Sequence, residues 1–236
     1  MRKMEWAGRP NHIGGIPRRI VFMAVGAFAK AVASLFNSTS VQNADTLIRL
    51  VRSRPPGIPL ITVSNHMSTL DDPVMWGFKG FPSMDAKLAR WVLAAEDICF
   101  KNALLSYFFR LVNYTGKCIP ITRGAGIYQE HMNEALERLS DGAWVMPENF
   151  FVGRRPPFPL WNKKIKIVVG EPIEFDLPKL RQEAVSTSRN LSFPRVGWPS
   201  TSPCGLDEAA QRCLFTAVSE QIWAVMERLR DSLKHS

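Results

Sequence analysis

Short β-branched runs alternate with helical patterns along most of this chain, and that alternation constrains the fold more than any other feature. Leu60 to Ser64, LITVS, is bounded by Pro59 and polar residues and predicts a buried strand. Arg90 to Ala94, RWVLA, predicts another. Cys118 to Ile121, CIPI, predicts a third, weakened by Pro120. Lys164 to Val169, KIKIVV, is a clear strand before Gly170-Glu171-Pro172. Helical patterns separate them. Ala44 to Arg52 is a short helix closed by Pro55-Pro56-Gly57. A second opens near Asp71-Asp72-Pro73, and Asn102 to Leu111 is an apolar, aromatic third. Ile127 to Leu139 is amphipathic, with Tyr128, Met132, Ala135, Leu136 and Leu139 on one face. Strands parted by helices predict an α/β fold, a largely parallel sheet flanked by helices.

Beyond the strands, Arg181 to Pro203 is rich in Ser and Pro and reads as a loop or linker. Asp207 to Leu233 is a long helix with Leu214, Val218, Ile222, Val225, Met226 and Leu229 along one stripe, a pattern that suits docking better than membrane anchoring. The expected organisation is an N-terminal segment over 1–36, a catalytic domain over 37–180, a linker over 181–205 and a C-terminal helix over 206–236.

At 236 residues and 46% hydrophobic, the chain can bury a substantial core. A formal net charge of +9 favours an anionic partner: a membrane surface, a phosphorylated substrate or nucleic acid. The charge is dispersed and no nucleic-acid-binding motif is present, which argues against nucleic acid. Cys99, Cys118, Cys204 and Cys213 show no C-x-x-C spacing, so neither a zinc site nor a disulfide framework is expected, and a reducing compartment fits. Ile20 to Phe36, IVFMAVGAFAKAVASLF, is apolar but for Lys30 and Ser34 and follows Arg18-Arg19. It admits three readings: an interfacial helix, a cleaved targeting segment or an ordinary core helix.

The chemistry-bearing stretch is SNHMSTLDDP, Ser64 to Pro73. His66 follows a strand, at the end where open α/β sheets bind ligands. Asp71 is five residues on, within reach of a turn that returns its carboxylate to the imidazole. Such a pair serves as a general base, with the acid fixing the tautomer. Spacing alone also permits a plainer reading, in which Asp71 or Asp72 caps a helix.

VSNHMSTLDDPVMWG, Val63 to Gly77, closely resembles the first motif of the tafazzin branch of the glycerolipid acyltransferases, and LAAEDICFKN, Leu93 to Asn102, resembles that branch too. GKCIPITRG, Gly116 to Gly124, looks like the second motif. GIYQEHMNEALERLSDGAW, Gly126 to Trp144, and VVGEPIEFD, Val168 to Asp176, also match, and plant N-acylphosphatidylethanolamine synthases are similar. The resemblance implies transfer of a fatty acyl group to a glycerophospholipid or lysophospholipid, including N-acylation of phosphatidylethanolamine. It implies His66 as base, Asp71 as its partner and Arg123 on the acceptor's phosphate, with Asn65, Asp72 and Gly116 as further substrate-binding positions. Taken by itself, Arg123 also reads as a solvated charge at a strand end. No metal or cofactor is implied. The partners are membrane lipids and an acyl donor, either acyl-CoA or another phospholipid. The tafazzin resemblance implies a mitochondrial membrane, and the plant relatives another cell membrane such as the plasma membrane.

One stretch departs from the family. After D-G-x-W the resemblance calls for a strand, a Phe-Pro-Glu-Gly motif and several dozen further residues before a segment like MPENFFVGRRP. Here that segment follows Trp144-Val145 directly. Pro147-Glu148 is therefore read as a seam rather than as the third motif, and part of the central sheet is expected to be missing. Gly153-Arg154-Arg155-Pro156-Pro157, with Phe150, Phe151, Phe158 and Trp161 nearby, is either an interfacial loop or a solvated one with its aromatics tucked inward.

Overall fold

The computed structural model describes residues 12–65, 75–99, 103, 118–122, 124–126, 129–146, 161–189 and 206–234. The chain divides into two units, Met1–Val169 and Gly170–Ser236.

In the first unit, helix α1 (Ile16–Lys30) opens with a proline in its first turn and continues as a π-helical turn, Ala31–Phe36. Strand β1 (Ser38–Gln42) and helix α2 (Ala44–Arg52) follow. Then come β2 (Leu60–Ile61), β3 (Trp91–Ala95), the single-turn α3 (Glu96–Cys99) and β4 (Cys118–Ile121). Helix α4 (Glu130–Ser140), β5 (Trp144–Met146) and β6 (Lys164–Val168) complete it. Among the described residues all pairings are parallel: one sheet has the order β2-β5-β3-β4, and β1 and β6 form a separate pair. This is the mixed α/β architecture the alternation predicts.

Strand β3 is buried at all five positions, as a central parallel strand covered on both faces should be. One face meets α4, where Met132, Ala135 and Leu139 pack on Trp91, Leu93, Ile119 and Val145. Trp76, Phe78, Phe81, Trp144 and Met146 form a second cluster with Leu47 and Val51 of α2. Arg90, just before β3, is 1% exposed and lies over the rings of Trp76 at 4.4 Å and Trp144 at 5.8 Å. A weakly hydrated guanidinium tolerates such a site because the ring faces attract cations. Arg54 ties the end of α2 to the turn before β5: Nη1 donates to Leu50 O (3.2 Å) and Nη2 to Gly142 O (2.9 Å). Desolvation by burial pulls its pKa below the usual guanidinium value.

Several expectations change. LITVS is not a five-residue buried strand: β2 spans two residues at the sheet edge and Ile61 is exposed, because β5 covers only one side of it. RWVLA shifts by one residue, with Arg90 outside the strand. CIPI is a strand as expected, and its proline survives because β4 is an edge strand. Leu136 lies 59% exposed, outside the narrow Met132–Ala135–Leu139 stripe, and Tyr128 is outside the described residues. Strand β1 was not foreseen from its polar sequence; only Thr39 and Val41 turn inward, and β6 supplies its ladder.

Helix α1 docks one side. Phe22, Ala29, Val32 and Ala33 are buried, and two glycines allow the close approach. A Cβ on Gly26 would stand 2.6 Å from Ser83 O, and one on Gly77 would fall inside the carbonyl of Ala29. The opposite side leaves Ile16, Ile20, Met23, Phe28 and Leu35 exposed.

In the second unit, helix α5 (Leu177–Ser188) occupies the start of the expected linker. Asp176 Oδ1 accepts from Lys179 N (3.1 Å), Pro178 suits the first turn, and Leu180, Ala184 and Ser188 bury at helical spacing. These signals outweigh the Ser content that suggested a loop. Helix α6 (Glu208–Lys234) matches the predicted long helix, capped by Asp207 Oδ1 accepting from Ala210 N (2.7 Å). Leu180 and Ala184 of α5 and Leu214 of α6 form the unit's core.

Candidate active site

Because β2, β5, β3 and β4 run parallel, their carboxyl ends share one edge. The ladders fix the levels along it. Ile61 pairs with Val145, Val145 with Trp91, and Ala95 with Ile121. Asn65 is exposed past the end of β2, and His66 is the next residue. Counted along the chain, His66 lies as far past Ile61 as Glu96 lies past Trp91, and Glu96 comes one residue after Ala95 as Thr122 does after Ile121. The segments that lead into His66, Glu96 and Thr122 thus all leave the sheet at its carboxyl edge. Strands β2 and β4 are the outer two of four, so their ends are three spacings, about 14 Å, apart.

Of the residues selected from sequence, Asn65 is described, whereas His66, Asp71, Asp72, Gly116 and Arg123 lie outside the described residues. The aromatic–arginine loop after β5 lies outside them too, except Trp161, whose ring stacks on Phe36 at 4.9 Å.

The structure adds a polar network at this edge. Gln129 clamps the turn after β4: its Nε2 donates to Thr122 O (3.0 Å) and Gly126 O (2.6 Å), and its Oε1 accepts from Thr122 N (2.7 Å). Ala125 N also returns to Thr122 O (3.3 Å), and Gly124, at φ 79°, takes a left-handed conformation that glycine adopts without strain. Thr122 Oγ1 donates to Glu96 Oε2 (3.3 Å), linking the ends of β3 and β4. The sequence carried only a faint sign of the clamp, a glutamine before a helix and three residues after a glycine. Among the described residues no group of three or more His, Cys, Asp or Glu side chains converges as metal ligands do.

Among the described residues β5 lies between β2 and β3. It shares Trp91 and Val92 with β3, and β3 then continues through Leu93, Ala94 and Ala95 paired with β4.

The acyltransferase family profile matches residues 40–149, a span that contains the whole four-stranded sheet. The chain is 54% identical to N-acylphosphatidylethanolamine synthase of Arabidopsis thaliana, over 96% of this chain and 96% of that protein. That alignment runs 278 positions against the 236 residues here, so dozens of positions in the relative have no counterpart. Tafazzin of Drosophila melanogaster is 44% identical over 58% of this chain and 35% of its own length. The Dictyostelium discoideum tafazzin is 42% identical over 54% of this chain and 45% of its own. With the parallel sheet and a relative matched nearly end to end, the chain belongs to the acyltransferase family and is similar to tafazzins over part of its length.

Proposed function

We propose that this chain is a membrane-associated acyltransferase acting on a glycerophospholipid or lysophospholipid, with phosphatidylethanolamine among its candidate acceptors. His66 is the general base, Asp71 orients it, and Arg123 holds the acceptor's phosphate, with Asn65, Asp72 and Gly116 beside them. The carrying observation is that the segments entering His66 and Arg123 reach one edge of one parallel sheet. An elongated glycerophospholipid suits a site reached from strand ends about 14 Å apart. The acceptor's hydroxyl or amine attacks the donor's acyl carbonyl as His66 takes its proton. The tetrahedral intermediate then expels the donor's thiolate or alkoxide, and the imidazolium returns the proton. The donor is acyl-CoA or another phospholipid, and no resident cofactor is needed. The exposed apolar side of α1 rests on the lipid surface from which the acceptor comes.

A second reading is an impaired, membrane-binding form of the same enzyme. It is favoured by the alignment longer than the chain and by the family match stopping at residue 149, beside Pro147-Glu148. Loss of the groups that position substrate can remove about 7–11 kcal/mol of barrier lowering while the base survives. The test gives labelled acyl donor and either lysophospholipid or phosphatidylethanolamine to three proteins: wild type, His66→Ala, and a chain with the relative's extra segment inserted after Val145. Transfer by wild type and its loss by about 100-fold or more in His66→Ala supports catalysis. Transfer only after insertion supports the impaired form. Undiminished transfer by His66→Ala overturns the base assignment.

A further inference from the structure

Beside α1 and the segment 80–87 lies an open hollow of about 760 Å³. Among the described residues its lining brings together four cations from three places: Arg19 and Lys30 of α1, Arg52 at the end of α2, and Lys87. Asp85 is the one carboxylate there, and its Oδ1 already accepts from Lys87 N (2.9 Å). Lys30 is held in place, its Nζ donating to Phe81 O at 3.2 Å. Met23 and Met84 supply apolar wall between the charges.

The position of the hollow matters as much as its charge. At 100° per residue, Arg19, Met23 and Lys30 fall within about 40° of one line along α1. That line borders the exposed apolar side formed by Ile16, Ile20 and Phe28. Cations at the border of an apolar face lie at headgroup depth when the face enters a bilayer. Gathering four cations is unfavourable without counter-charge, and a phosphate that accepts from two or more of them relieves it.

We propose that this hollow binds the phosphate of an anionic phospholipid headgroup, as a site separate from the acyl-transfer edge, with which it shares no described residue. The proposal rests on the reading that α1 lies on a lipid surface, and adds headgroup selectivity to it.

Vesicle co-sedimentation tests it, using phosphatidylcholine alone and phosphatidylcholine with a third replaced by phosphatidylglycerol. Wild type binds both and binds the anionic vesicles more strongly. Arg19→Gln/Arg52→Gln keeps its binding to phosphatidylcholine and loses most of the anionic increment, about tenfold or more at several-fold per cation. Lys179→Gln/Arg181→Gln, which removes the same charge from exposed positions of the second unit, keeps the increment. Replacing chloride by inorganic phosphate at matched ionic strength leaves the wild-type increment in place. The headgroup proposal alone is overturned if phosphatidylcholine binding persists but the hollow variant keeps its increment, if the control variant loses as much, or if free phosphate erases it. Failure of wild type to bind either vesicle overturns the lipid-surface reading of α1 as well.

Discussion

Helices α4 and α1 both dock one side on the first unit, yet their free sides are built for different surroundings. On α4, Glu130, Asn133, Glu137 and Ser140 face outward and Leu136 is a lone exposed apolar residue. On α1 the outward side holds Ile16, Ile20, Met23 and Phe28, with Arg19 and Lys30 along its border. Single exposed leucines are ordinary on protein surfaces, whereas a contiguous apolar side marks a surface meant to be covered. The inner sides differ as well. Helix α4 packs by side chains of graded size, while α1 sits so close to 77–84 that two glycines are required.

The largest expected effect is on the inner side of α4. Ala135 is 3% exposed, and Ala135→Glu buries an unpaired carboxylate at a cost of several kcal/mol, a large share of a domain's stability. Loss of a cooperative melting transition is expected, and a normal melt would show that α4 is not fixed as described. Next comes Gly77→Ala, which forces α1 away from its seat and destabilises by about 1–3 kcal/mol, read as a lower denaturant midpoint. The outer sides separate the helices most cleanly. Phe28→Ser should weaken vesicle binding about tenfold without lowering the melting temperature, since a buried phenylalanine contributes about 1.5–3 kcal/mol. Leu136→Ser should change neither quantity, and equal losses from the two substitutions would erase the distinction. The smallest effect is Gln129→Leu, which removes the clamp at the start of α4. At about 1 kcal/mol it lowers the melting temperature by about 2–4 °C. In an active form it also raises KM for a phosphate-bearing acceptor more than for a phosphate-free one.

The sequence was most legible where one physical signal dominates. CIPI and KIKIVV read as strands because β-branched residues were bounded by turn formers, and Ala44–Arg52 because two prolines close it. Strand β1 was hidden because its alternation involves Thr39 and Val41 among serines, and its partner is far along the chain. Helix α5 was hidden because Ser186 and Ser188 suggested a loop, although Ser188 is buried with its Oγ donating to Val185 O. Of the site, sequence supplied the residue types and the motif spacing; the shared carboxyl edge and the register of Ala95 with Ile121 required the ladders. The Gln129 clamp escaped notice because a glutamine's three bonds to a turn leave no periodic trace.

The parallel pairing of β1 with β6 ties chain segments far apart in order of synthesis. Asn37 and Lys163, 126 residues apart, are joined by a hydrogen bond beside that ladder. Closing so long a loop makes folding slow, and α1 leaves the ribosome well before the strand that completes the unit. Its greasy side is thus available to lipid while translation continues. Loop-closure entropy varies only logarithmically with length, so about fifty residues more or fewer inside this loop would change it by only about 0.3 kcal/mol. Length differences between relatives inside this loop therefore leave its connectivity almost untouched.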